Sequence, residues 1–464
     1  MHTHVLAVDI GSTRLKAALL DATGGVLRLA QQASPLLATP IDPDDVLAQT
    51  GALAREVCDG VRPGAIAITG ATRTTVLAGE DGQAIGAAIA LSDGRGAAHA
   101  DALQAAYGAP TARGLGAFHP LARMMDVREH DPASYRRMRW ALDLKDWLNL
   151  QLTGSAHVDT VALARTQPPD ADLEALLARL QLRPGMMGVA TNAARTIGPV
   201  RENAPPAWNW CRGIPVVLCG FDAWCASFGM GSVHVDAVYN VCGTTDVFGG
   251  FTQQHRHVDG VACLPWCAEI EHLGGPCLTG LSTLSWFGKR FLDNPDPAAV
   301  IACAAAAADD CPIALPFVHG ERMPFWRPDL RARFLDVGAD HGTPEFARAL
   351  IDGLLLFQRW LVGRLGTQPA TVYLGGGGIS LPGWPQAKAS AFGVPVRIAN
   401  NDEPALVGAA MCALVALGHF PSLIQCQDAL HPGHREVPPE AGQVHRLQSI
   451  ETRYLAYLNR MLAE

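Results

Sequence analysis

The side chains able to do chemistry in this chain gather at a few short, glycine-marked turns. The first is Asp9-Ile10-Gly11-Ser12-Thr13. A bound phosphate needs N–H and hydroxyl donors at close range, and Gly11 lets the backbone approach it. Asp9, at the end of an apolar run, can enter the shell of a Mg²⁺ ion, and Lys16 adds positive charge. Taken alone the pattern is little more specific than a hairpin turn. It returns, however, as Gly243-Thr244-Thr245, and two such loops facing each other can clamp a polyphosphate from both sides. Neither is a Walker A loop, since the sequence holds no G-x-x-x-x-G-K-[ST].

Leu374-Gly375-Gly376-Gly377-Gly378 lies between an apolar run and a helical pattern. Bare backbone of this kind lets a flat ring lie against it. A dinucleotide fingerprint fails on its G-x-G-x-x-G spacing, leaving a surface loop as the plain alternative. Asp222 follows the apolar stretch Pro215–Cys219 and is flanked by Phe221, Ala223 and Trp224. A carboxylate so placed can accept a hydroxyl proton as that hydroxyl attacks phosphorus. Arg73 and the turn Ser92-Asp93-Gly94-Arg95 supply donors and acceptors suited to several hydroxyls of a polyol. A structural turn with an ion pair explains them equally well.

The elements that must hold these residues are an alternation of strands and helices. His4–Leu20 reads as strand, turn, strand; Gly64–Thr69, Thr74–Ala78 and Pro215–Cys219 are further strands. Asp101–Tyr107, Pro132–Met138 and Leu142–Leu152 are helical. The opening pattern recurs with strands Ala237–Val241 and Val247–Phe251. Helix Pro344–Leu365, strand Ala370–Leu374, helix Pro385–Phe392, strand Val394–Ile398 and helix Pro404–Leu417 follow. A Pro/Gly/His-rich loop and a helix over Ile450–Leu462 end the chain. Two α/β halves with a cleft between them are expected, joined near Gly229–Asp236.

With 464 residues, 49% of them hydrophobic and 17% charged, the chain exceeds one ordinary core and does not read as disordered. Net charge is −8 without a basic run, which argues against a nucleic-acid partner. No uninterrupted apolar stretch is long enough to span a bilayer, so no membrane association is expected. Without a leader pattern, the twelve scattered cysteines are expected reduced in the cytoplasm. His255, His257, Cys263, Cys267, His272 and Cys277 lie close in sequence. Their spacing matches no paired zinc knuckle, so buried free thiols are the expectation.

In this order, the motifs resemble the FGGY carbohydrate kinase family, which includes xylulokinase, glycerol kinase, gluconokinase and ribulokinase. Asp9–Asp21 and Tyr239–Gly249 are similar to its two phosphate motifs, Leu374–Gly408 to its adenosine segment, and Gly220–Asp222 to the site of its catalytic aspartate. Lys145-Asp146-Trp147 through Gly154, and Pro316–Pro324 with Gly320-Glu321-Arg322, are similar to one characteristic segment of each domain. The resemblance implies two ribonuclease H-like (actin/hexokinase-type) domains, over 1–232 and 233–464. The first would carry the sugar site, the first phosphate loop and the catalytic aspartate; the second would carry the other phosphate loop and the adenosine site. It implies ATP and Mg²⁺, with Asp222 as the base and Asp9 and Asp222 at the metal. Gly11, Ser12, Thr13, Lys16, Gly243, Thr244 and Thr245 would hold phosphates, and Gly375, Gly376 and Gly377 would lie against adenosine. Arg73, Asp93, Arg95 and Asp222 would contact a small sugar, a ketopentose in a xylulokinase-like reading. A homodimer is common in the family.

The departures lie in the sugar site. Thr72-Arg73 stands where xylulokinases carry Met-His and near where glycerol kinases carry Arg-Glu. Leu91-Ser92-Asp93-Gly94-Arg95 replaces the tryptophan of W-x-D-x-R. A different polyol or a sugar acid is therefore an open alternative, as are an ATP-binding regulator and an actin-like ATPase. Retention of Asp222 with both phosphate loops argues against the regulator. The ATPase gives no reason to keep Asp93, Arg95 and Asp222 together.

Overall fold

The computed structural model describes residues 4–37, 39–107, 116–166, 172–267, 270–366, 369–430 and 433–464. His431 and Pro432 of the expected tail loop lie outside the described residues, as does 108–115 within the stretch expected to be mainly helical. The chain forms two compact units, Met1–Gly231 with Asn401–Pro432, and Ser232–Asn400 with Gly433–Glu464.

The first unit holds β1 (Val5–Ile10), β2 (Arg14–Leu20), β3 (Val26–Ala33), β4 (Ala65–Gly70), β5 (Thr75–Ala78), β6 (Trp140–Asp143), β7 (His157–Asp159), β8 (Val189–Thr191), β9 (Arg195–Pro199) and β10 (Pro215–Leu218). Its main sheet has the order β3-β2-β1-β4-β10-β9. β1 pairs antiparallel with β2 and parallel with β4, and β4 pairs parallel with β10. Val5–Val8 and Ala65–Gly70 are buried on both faces, as central parallel strands covered by helices must be. One cover is the helix Pro404–Ala416, buried at every residue from Leu406 to Leu414, which packs on β1 and β4. A helix apolar all round belongs in a core, so this late segment returns to the first unit.

The second unit repeats the plan with β11 (Val238–Val241), β12 (Val247–Thr252), β13 (Ala262–Cys267), β14 (Ile270–Pro276), β15 (Ile313–Leu315), β16 (Arg333–Leu335), β17 (Val372–Gly375), β18 (Val396–Ala399) and β19 (His434–Val437). The sheet order is β13-β14-β12-β11-β17-β18-β19. The β11–β12 hairpin matches β1–β2, and the parallel run β11-β17-β18 matches β1-β4-β10.

Two local expectations are corrected. Leu142 and Asp143 are not helical: they pair in β6 with Val76 and Thr75 of β5, and the helix starts at Leu144. A cross-strand partner overrides the local pattern there. The last helix begins at Ala441 rather than Ile450, because its buried stripe of Leu447, Tyr454, Leu458 and Met461 extends further back. Among the described residues, no helix is long and apolar enough to cross a membrane.

The helices Asp222–Gly229 and Pro404–Ala416 approach closely at Gly408, where a Cβ would sit 1.9 Å from the Cys225 carbonyl oxygen. Gly408→Ala should therefore force the pair apart and lower stability by about 1–3 kcal/mol, the usual cost of overpacking. A urea midpoint equal to that of the parent would show that the crossing is not tight.

Candidate functional site

In the first unit, β1, β4 and β10 run parallel, so the loops leaving them emerge at one edge of the sheet. Asp9 stands one residue from the end of β1, opposite Lys16 on β2. Asp222 opens the helix Asp222–Gly229, four residues after β10 ends, and its Oδ1 accepts a hydrogen bond from Ala223 N–H at 2.7 Å. The loop before Asp222 is pinned twice. The Thr69 hydroxyl donates to the Gly220 carbonyl at 2.8 Å, and Lys145 Nζ donates to the Cys219 carbonyl at 3.1 Å. Lys145 is wholly buried and also meets Asp146 at 2.7 Å and Asp159 at 3.0 Å. At Gly220 a Cβ would fall 2.6 Å from the Trp224 ring, so the turn into the helix admits only glycine without repacking.

Asp9 Oδ1 is buried and has no hydrogen-bond partner among the described residues. Burial first, and then the charge of Asp222, push the Asp9 carboxyl up to about 8, against a lowering pull from Lys16. Burial likewise raises Asp222. Two half-buried carboxylates that repel each other, one with a bare buried oxygen, form a place where a hard divalent cation would be favoured. The Gly11-Ser12-Thr13 turn leaves both hydroxyl residues exposed beside this pair. Lys16 Nζ contacts Glu403 Oε2 at 2.6 Å, a partner that chain order alone does not suggest.

Arg73 sits in the left-handed region at φ 69°. Its N–H donates to Asp143 at 2.9 Å and its carbonyl accepts from Arg123 at 2.6 Å. Its guanidinium makes no hydrogen bond to a described residue; burial, with Arg165 close by, pushes its pKa down. Thr72, Arg73, Asp143, Arg165 and Thr166 line a cavity of about 30 Å³, and Arg165 lies over the Phe221 ring at 4.6 Å. Asp93 and Arg95 pair with each other in a fork of 2.7 and 3.0 Å. Arg123, itself fully buried, gathers this region by donating to the carbonyls of Arg73, Leu91 and Asp93.

In the second unit, Gly243-Thr244-Thr245 joins β11 to β12, with both threonines exposed. Its carbonyls accept from Leu281 and Ser282 at the start of the helix Leu281–Phe291. Beneath it Asp246 is buried and bound by Asn240, Gln358 and Lys388, the last at 2.8 Å. The glycine run leaves β17 beside this turn, because Gly375 pairs with Val241. Gly376 (φ 83°) has room for a Cβ only 2.4 Å from the Cys242 carbonyl, and at Gly378 the Cys242 side chain blocks one at 2.8 Å; at Gly377 nothing lies within 4 Å. Gly376 and Gly377 are exposed.

The sequence thus names Arg73, Asp93, Arg95, Asp9, Lys16 and Asp222, and all lie in one unit. It misses Lys145, Arg123 and Glu403 as supports. Lys145, with Asp146, sits between Leu144 and Trp147-Leu148, and Arg123 between Leu121-Ala122 and Met124-Met125. A charge without an exposed helix face is the signal that marks them. The six histidines and cysteines between His255 and Cys277 do not converge. His255 and Cys263 meet at Glu271 (2.8 and 2.9 Å), whereas His272 bonds Tyr239 and Cys277 bonds the Met323 carbonyl.

Residues 4–229 match the N-terminal domain of the FGGY family of carbohydrate kinases, and residues 238–417 match its C-terminal domain. The chain is 26% identical to erythritol kinase from Brucella abortus, over 99% of its own length and 96% of the relative's. It is 27% identical to xylulose kinase from Escherichia coli over 65% of each. The ligand-bound xylulose kinase from Lactobacillus acidophilus superposes with a TM-score of 0.87 at 20% identity, covering 100% and 99% of the two chains. That likeness shows the fold, the two-domain actin/hexokinase type.

Asp9 holds its proton to about pH 8 when folded, against 3.8 when free, so its share of stability is full below pH 4 and lost as pH rises through 8. In Mg²⁺-free buffer, Asp9→Asn should therefore gain on the parent as pH rises from 5 to 9, reaching about 4 kcal/mol, from about three pH units at roughly 1.4 kcal/mol each. Denaturation series at both ends of that range check this. A pH-independent difference would mean that Asp9 is ionised throughout.

Proposed function

The chain belongs to the FGGY family of carbohydrate kinases, and on that footing we propose that it transfers the γ-phosphate of Mg-ATP to a hydroxyl of a small sugar, with a ketopentose as the leading acceptor. The observation that carries this reading is the pair Asp9 and Asp222, two electrostatically coupled carboxylates at the edge where three parallel strands end. Asp222 is the general base. As the acceptor oxygen bonds to phosphorus, the bond to the bridging oxygen of ADP breaks and Asp222 takes the hydroxyl proton. Burial that raises its pKa makes it a stronger base. The Lys145 and Thr69 bonds hold its loop in place.

Asp9 and Asp222 are the residues that fit Mg²⁺, on the strength of the bare Asp9 oxygen. When bound, the ion neutralises phosphate charge. Gly11, Ser12, Thr13, Gly243, Thr244 and Thr245 offer N–H and hydroxyl donors to the phosphates, and Lys16 becomes available to them if it leaves Glu403. Gly375, Gly376 and Gly377 form the adenosine face, with Gly377 the position most open to a ring.

Arg73, Asp93 and Arg95 orient the acceptor. The guanidiniums of Arg73 and Arg165 at one small cavity favour a second reading, an acceptor bearing a carboxylate, because Arg pairs with carboxylates bidentately. The erythritol and xylulose kinases to which the chain is similar favour a short polyol or ketose.

Two measurements test the proposal. Asp222→Asn should lower kcat by about 10²–10⁴ in an ADP-coupled screen of ketopentoses, tetritols, glycerol and hexonates, while calorimetric ATP affinity holds. An active Asp222→Asn enzyme would falsify the base assignment, and a silent panel with intact ATP binding would favour a regulator. Gly377→Ala should fold like the parent, as no neighbour opposes its methyl group. It should still raise the KM for ATP about tenfold, a change of roughly 1.4 kcal/mol, with acceptor KM unmoved. An unchanged KM for ATP would remove Gly377 from the nucleotide face.

A further inference from the structure

We infer that His99, Asp126 and His130 form a binding site for one divalent transition-metal ion of the zinc or cobalt class, beside the loop that carries Asp93 and Arg95. The three residues each offer a ligand atom, and these atoms lie within 4.8 Å of one another. Asp126 and His130 stand four residues apart on the helix Pro120–His130, so they share a face. Glu129 adds a second carboxylate. His99 comes from the last position of the short turn Arg95–His99.

The distances bracket those that an ion needs. His99 Nε2 is 3.9 Å from Asp126 Oδ1 and 3.7 Å from Glu129 Oε2, and His130 Nδ1 is 3.0 Å from Asp126 Oδ1. Tetrahedral zinc, with bonds of about 2.0–2.2 Å to nitrogen and oxygen, holds its ligand atoms roughly 3.3–3.6 Å apart. The first two separations are too long for hydrogen bonds and close to what a shared cation needs.

The second, independent observation is the state of His99. It is 9% exposed, and its Nε2 is buried with no hydrogen-bond partner among the described residues. A buried polar nitrogen aimed at two carboxylates it cannot reach is costly as it stands, and an ion between them satisfies all three groups. Two carboxylates and two neutral imidazoles match a charge of +2. Imidazole nitrogen selects zinc, cobalt or nickel over Mg²⁺ and Ca²⁺. The outer side is open, with the His130 and Glu129 side chains 63% and 61% exposed, which supplies the entry path.

The location has a consequence for the acceptor loop. The turn Arg95–His99 already sits close against its neighbours, since a Cβ at Gly96 would lie 2.8 Å from the Ala117 carbonyl oxygen and 3.0 Å from Ala122. The same helix carries Arg123, which holds the carbonyls of Leu91 and Asp93. Asp126 and Asp131 also act on Arg95 through space. An ion at Asp126 ties the turn to the helix and weakens the pull of that carboxylate on Arg95.

The test is a titration of the tag-free, metal-stripped full chain without nucleotide, using Co²⁺ followed by absorption and Zn²⁺ followed by calorimetry. The expected result is one ion per chain, with the weak visible bands of nitrogen–oxygen ligation. Asp126→Asn and His130→Ala should each weaken binding about 100-fold, and His130→Ala changes an exposed side chain that folding does not need. His99→Gln should do the same where it folds. Three outcomes overturn the inference: no stoichiometric binding, binding that survives both Asp126→Asn and His130→Ala, or the intense near-ultraviolet band of thiolate ligation. That band would assign the ion to the buried Cys219, Cys225 and Cys412 group, or to Cys263 with His255 and Glu271.

Discussion

A wholly buried ammonium governs the geometry of the first unit. Lys145 reaches three acceptors at once: the carboxylates of Asp146 and Asp159 and the carbonyl of Cys219. The first two keep it charged in the interior, where an unpaired cation would not persist. The third fixes the backbone three residues before Asp222. The position of that carboxylate, and with it the repulsion that adds to burial in raising Asp9, therefore follows from an interaction made below the surface. Such a network is worth less in net stability than in geometric definition, because desolvation offsets most of its Coulomb energy.

The second unit answers with a network of the same kind. Lys388 is also fully buried and bonds Asp246, Asn240 and Gln358 directly beneath Gly243-Thr244-Thr245. Asp246 in turn accepts from Gly243 N–H at 3.2 Å. In each unit a loop takes part of its shape from a buried lysine one layer below: Lys145 through the Cys219 carbonyl in the first, Lys388 through Asp246 in the second. At Gly243-Thr244-Thr245 small residues leave the loop surface free for donors, and the lysine network supplies the rigidity they lack.

Much of this was legible in the sequence, for a physical reason. Loops that expose backbone need glycine, and strands that cross a core need apolar runs, so the two hairpin turns, the Gly375–Gly378 run and the strands feeding them are written locally. Asp222 was legible because a carboxylate amid Phe221, Ala223 and Trp224 contradicts its neighbours. Lys145, Arg123 and Glu403 were not, because their partners lie far away in the chain: Cys219 for Lys145, Arg73 for Arg123 and Lys16 for Glu403. Leu142–Asp143 was misread for the same cause, since its strand exists only through β5.

The duplicated topology also explains why the two units diverge where they do. The loop after β4 and the loop after β17 occupy the same place in their sheets, each following the strand next to the central hairpin. After β17 that place is filled by three glycines, Gly376 to Gly378, two of which are exposed; after β4 it is filled by Ala71-Thr72-Arg73. Bare backbone offers a flat face to a ring, whereas an arginine held at positive φ by Asp143 and Arg123 offers charge in a fixed direction. The hairpin turns, by contrast, remain alike in both units, Gly-Ser-Thr in one and Gly-Thr-Thr in the other. A scaffold repeated in this way can keep one chemistry at its hairpin turn while changing it at the neighbouring loop. The two units thus agree at the hairpin turn and differ in residue type where the neighbouring parallel strand ends.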